Sequence, residues 1–103
     1  MKISHLILSI TLAFATASTA TAQTTLVESK NCVLCHSSEK TVVGPSFKAI
    51  SAKYRGDKDA AERLVLIVLR GGSGIWGKTA MPANPQVSSE EAKTLVAWIL
   101  DQK

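Results

Sequence analysis

Asn31-Cys32-Val33-Leu34-Cys35-His36 sets two cysteines and a histidine in the order C-x-x-C-H, the pattern through which a c-type haem is attached covalently. On a helical turn the three residues fall at i, i+3 and i+4 and share one face. Two sulfurs then reach two vinyl groups at one edge of the macrocycle while the imidazole reaches the iron. The segment assigns Cys32 and Cys35 as tethers, His36 as an iron ligand, and one haem per chain as cofactor. Two other uses of these residues fit less well. A thioredoxin-like Cys32–Cys35 disulfide wants a βαβ context, and a closed zinc site wants four Cys or His ligands where the chain beyond its first few residues offers three.

Working outward, residues 1–22 read as a secretory signal peptide. Lys2 supplies the positive start, Leu6 to about Ala17 the apolar stretch, and Ala20-Thr21-Ala22 a small-residue cleavage site before Gln23. The apolar stretch is shorter than the ~20 residues of a spanning helix, so no stable membrane insertion is expected after cleavage. Residues 23–103 then form one small domain of 81 residues, whose apolar core alone is marginal and which a buried haem would complete. Without Lys2, 11 basic residues face 8 acidic ones, a balance too mild to suggest a nucleic-acid partner. Lys30, Lys40, Lys48, Lys53, Arg55 and Lys58 lie in the first half, and Glu90, Glu91 and Asp101 near the end. That asymmetry suits a weak encounter with an acidic redox partner.

The domain reads as all-α. Thr25-Leu26-Val27-Glu28 fits a capping box, so a first helix is expected to start near Thr25 and to carry Cys32–His36 at its end. After Val43-Gly44-Pro45, Ser46 caps a second helix through Phe47, Ile50 and Tyr54, ended by Gly56. Asp57 or Asp59 with Glu62 opens a third helix, Ala60 to Arg70, stopped by Gly71-Gly72. A Gly/Pro-rich loop from Gly71 to Val87 is expected to hold nothing regular. Ser88-Ser89-Glu90-Glu91 then opens a last helix with Ala92, Leu95, Val96 and Ile99 as its apolar stripe and Trp98 at the stripe's edge.

His36 is the only histidine after residue 22 and Met81 the only methionine, 45 residues further on in the loop stiffened by Pro82 and Pro85. A core methionine belongs on a helical stripe, and this one does not lie on one. Met81 is therefore the expected sixth iron ligand. Gly72-Ser73-Gly74-Ile75-Trp76-Gly77-Lys78-Thr79 also matches the nucleotide-binding pattern G-x-x-x-x-G-K-[ST], but Pro82 and Pro85 stand where the helix that motif must open would form, so no nucleotide is expected.

Together Cys32-Val33-Leu34-Cys35-His36, Val43-Gly44-Pro45, Gly71 to Gly77, Met81-Pro82-Ala83-Asn84 and Glu91 to Leu100 resemble the small class I c-type cytochromes of bacterial periplasms, which carry electrons to nitrite reductase or terminal oxidases. The resemblance covers essentially all of residues 23–103. It implies four short helices wrapped around one covalently bound haem, a periplasmic location, and electron transfer rather than catalysis, with no catalytic residue. It also implies that the Pro45 carbonyl accepts a hydrogen bond from His36, that Trp76 donates toward a haem propionate, and that Asn84 lies near the Met81 sulfur. One segment departs from the pattern. Leu64 to Leu69 is apolar on every side, so some of Leu66, Ile67 or Leu69 should be exposed and available for docking or self-association. A dedicated cytochrome subunit of a larger oxidoreductase, and a haem sensor or peroxidase with a labile Met81, are the rival readings.

Overall fold

The structure is a computed structural model that describes residues 19–103. The charged start and apolar stretch of the expected signal peptide lie outside the described residues. Four α-helices follow in order: α1 (Thr19–Ser29), α2 (Phe47–Lys53), α3 (Ala60–Arg70) and α4 (Ser89–Leu100), with a 3-10 turn at Cys32–Leu34 between the first two. No helix among the described residues is long and apolar enough to cross a membrane.

α4 organises the rest, because α1, α2 and α3 all pack on it. Its start is the expected capping box: the Ser88 hydroxyl accepts from the Glu91 backbone N–H at 3.1 Å, and the Glu91 carboxylate accepts from the Ser88 N–H at 3.1 Å. Ala92, Leu95 and Val96 are buried against Val27 of α1, Phe47 and Ile50 of α2 and Leu64 of α3. Ser46 caps α2, its hydroxyl accepting from the Ala49 N–H at 3.0 Å. The buried Ser51 hydroxyl, shared between the carbonyls of Leu100 and Gln102 at 2.8 and 2.7 Å, ties α2 to the end of α4.

Three local expectations change. Residues 19–24 are already helical ahead of the start expected near Thr25, because no glycine or proline interrupts them and the helix runs through the capping-box sequence. It also stops before the haem motif instead of carrying it. Asn31 takes the left-handed conformation (φ 64°), ends the helical run and turns the chain into the 3-10 segment. In the Gly71–Val87 loop, expected to be irregular throughout, Gly72 and Met81 form an antiparallel bridge with hydrogen bonds of 3.0 and 2.8 Å in the two directions.

The apolar run of α3 has two neighbours to serve, which explains its composition. Ile67 and Val68 line a cavity on one side, while Val65 and Leu66 line a groove against Val96 and Ala97 of α4. Leu66 remains 46% exposed, as the excess of apolar surface required, while Ile67 and Leu69 are half-buried.

Ion pairs with Lys48, Arg63 and Lys30 hold the carboxyls of Glu39, Asp57 and Glu91, respectively, below their ordinary values. In each case the side-chain hydrogen bond from the cation is the largest cause. Groups depressed in the folded state contribute stability above their unfolded values and lose it as pH falls through the folded ones. The melting temperature of the holoprotein is therefore expected to hold near neutral pH and fall below the ordinary carboxylate range. Glu91→Gln should lower the neutral-pH value and flatten that fall, and an acid limb identical to the native one would contradict this.

Candidate functional site

The C-x-x-C-H turn is built from the backbone. The Cys32 carbonyl accepts from the N–H groups of both Cys35 (3.2 Å) and His36 (2.9 Å), so the three side chains sit on one tight turn although α1 has already ended. Both cysteines are free and half-buried, and burial pushes the Cys32 thiol above its ordinary pKa. His36 is fixed at two points. Its Nδ1 donates to the Pro45 carbonyl at 2.7 Å, which leaves Nε2 as the nitrogen with a free lone pair. Its ring stacks on Phe47 at 5.5 Å between centroids, and the buried Phe47 meets Trp98 of α4 edge-on at 5.2 Å. Gly44 allows this arrangement, since a Cβ there would stand 2.7 Å from His36 Cε1.

Met81 is set from the other end of the chain. Its backbone is bridged to Gly72, and Gly71 beside it has a positive φ of 80° and a position where a Cβ would lie 2.6 Å from the Met81 carbonyl oxygen. Only glycine meets both conditions without strain. Asn84 fastens the far side of the loop. Its amide donates to the Val68 carbonyl at 2.8 Å, one of the last-turn acceptors that α3 cannot itself satisfy, and its Oδ1 accepts from Gln86 at 3.1 Å. Gln86 in turn donates to the Lys30 carbonyl at 3.1 Å and accepts from the Lys30 ammonium at 3.0 Å, and so joins the loop to the end of α1.

Cys32, Cys35, His36 and Pro45 from one segment, and Trp76, Met81 and Asn84 from the other, line a single cavity. Its remaining wall is largely apolar, with Ile50, Leu64, Val68, Leu95 and Ile99 contributed by α2, α3 and α4. The donor set within it comprises two thiols on one turn, an oriented imidazole and a thioether in a braced loop, which is what a covalently tethered haem needs. A side chain at Gly44 or Gly71 would crowd it. The sequence placed Phe47 only along the second helix, and its stack on His36 went unforeseen. Its position just after Gly44-Pro45-Ser46, close to the imidazole's acceptor, was the available signal. The nucleotide-motif look-alike has neither required neighbour: Leu64–Leu69 is helix rather than strand, and no helix follows Thr79 until Ser89.

The cytochrome c family model matches residues 21–103. The chain belongs to the cytochrome c family. Members hold haem c covalently through two cysteines, here Cys32 and Cys35, and the cytochromes c it resembles are electron carriers rather than enzymes. Cytochrome c-551 of Allochromatium vinosum is 46% identical over 88 residues, 85% of this chain and 94% of that protein. Cytochrome c-551 of Azotobacter vinelandii is 47% identical over 78 residues, 76% of this chain and 94% of that protein. In three dimensions this cytochrome c superposes on the crystal structure of Nitrosomonas europaea cytochrome c552 with a TM-score of 0.76 at 45% identity, covering 78% of this chain and 99% of that one.

Proposed function

We propose that this cytochrome c is a periplasmic carrier of single electrons whose haem iron is held by His36 and Met81 in both oxidation states, with residues 1–22 removed as a signal peptide on export. The observation that carries the reading is the convergence of the Cys32–Cys35–His36 turn and the braced Met81 loop on one cavity. When bound, the haem supplies an iron centre that gains or loses one electron. Cys32 and Cys35 tether it. The Pro45 carbonyl and the Phe47 ring keep the His36 imidazole in one tautomer and one orientation, which limits rearrangement on electron transfer. The Gly72 bridge and the Asn84–Gln86–Lys30 chain keep the Met81 thioether from swinging away. An apolar wall keeps water out, and with a Met/His ligand pair this favours a raised potential.

The cavity mouth supplies the contact for redox partners. Val43, Ile75 and Trp76 both line the cavity and stand about half exposed, an apolar rim suited to brief docking over a small area. On α3 only Leu66 is exposed among the apolar run, so self-association through that helix would rest on one side chain, and the rim is the better-supported docking surface. The closed-iron reading is tested by adding carbon monoxide to the reduced holoprotein. An unchanged spectrum is expected, and a rapid shift to a carbonyl spectrum would favour the open-site sensor or peroxidase.

A further inference from the structure

Lys53 lies in the last turn of α2, where a cation suits the carbonyl end of a helix. Its Nζ stands 5.3 Å from the centre of the Trp76 ring, within cation–π range, and Trp76 lines the cavity. Lys30, Lys48, Arg63 and Lys93 each pair with a carboxylate, whereas Lys53 pairs with none among the described residues. The cavity wall itself carries no Asp, Glu, Lys or Arg side chain among the described residues. A haem brings two carboxylates to such a site, and their charge is costly at an apolar boundary unless something compensates it. The wall has no cation to offer. Lys53 is the cation stacked on a lining ring, and it reaches that ring at the exposed mouth, whereas Arg63, near Tyr54, is already paired with Asp57.

We propose that Lys53, held over Trp76, supplies the positive charge that faces the haem carboxylates and thereby raises the reduction potential of the protein. The inference rests on the electron-carrier reading above. Reduction adds one negative charge, so a fixed cation nearby favours the reduced form, and an exposed cation does so less as salt screens it. Trp76 contributes by limiting where the flexible lysine stem can carry its ammonium.

The test is an equilibrium redox titration of the holoprotein at low and high ionic strength. Lys53→Gln is compared with Lys58→Gln and Lys78→Gln, which remove the same charge from exposed positions that do not stack on Trp76. At low ionic strength Lys53→Gln is expected to lower the midpoint potential by about twice the shift of either control or more, with the excess shrinking as salt is raised. Lys53→Arg should keep the native value. Equal shifts in the three glutamine variants, or a loss in Lys53→Arg as large as in Lys53→Gln, would overturn the role of Lys53 while leaving the carrier reading intact. A native protein with no reversible one-electron couple would overturn both.

Discussion

Cys32→Ser combined with Cys35→Ser is expected to abolish covalent haem attachment and, with it, most of the folded population. The two sulfurs come from one turn closed on the Cys32 carbonyl, and no other cysteine is present in the chain to substitute. The consequence for folding follows from the packing. The buried residues of α1 to α4 surround a cavity lined by Ile50, Leu64, Val68, Leu95 and Ile99, so the same side chains that build the core would also face a haem held there. A core this small rarely supplies more than about 3–5 kcal/mol by itself, and here part of its apolar surface depends on the haem for burial. Acid–organic extraction followed by absorption of the protein fraction, with circular dichroism alongside, measures both effects. Haem that stays with the extracted protein of the double variant would contradict the assignment.

Met81→Ala should have the second-largest effect, and of a different kind: haem stays attached while the iron becomes open. The loop around residue 81 is fixed by backbone and by Asn84 rather than by the methionine side chain, so the Gly72 bridge and the Val68 contact persist in the variant. What is lost is the thioether and its packing, a stability loss of about 2–5 kcal/mol for truncating a side chain of this size in a packed site. The reduced variant is expected to bind carbon monoxide where the native protein does not, and its potential should fall because Met/His ligation is what raises it. A Met81→Ala protein that still excludes carbon monoxide would show that another group closes the iron.

Local devices in the chain are legible from residue order alone. The C-x-x-C-H spacing, the Ser88–Glu91 capping box and the Ser46 cap are of this kind, because sequence distance and spatial distance nearly coincide in them; the two caps stand where the residues place them, and the C-x-x-C-H residues share one turn, although on a 3-10 segment rather than on the expected end of α1. The features that escape such a reading depend on neighbours far along the chain or on a choice the residue leaves open. Asn31 ends α1 by a left-handed turn that its residue type permits but does not demand. Met81 pairs with Gly72 only because Gly71 redirects the chain leaving α3. Phe47 meets His36 on one side and Trp98 of the distant α4 on the other. The all-apolar appearance of Leu64–Leu69 belongs to the same class, since a helix between a cofactor cavity and another helix buries more than one stripe.

The central claim is that His36 and Met81 together close the iron of a covalently bound haem, and the optical spectrum of the holoprotein in its oxidised and reduced forms tests it most directly. The account predicts haem that survives acid extraction on the protein together with the weak long-wavelength band of methionine bound to ferric iron. Covalent haem without that band would contradict it and would identify an open-site protein in place of a closed electron carrier.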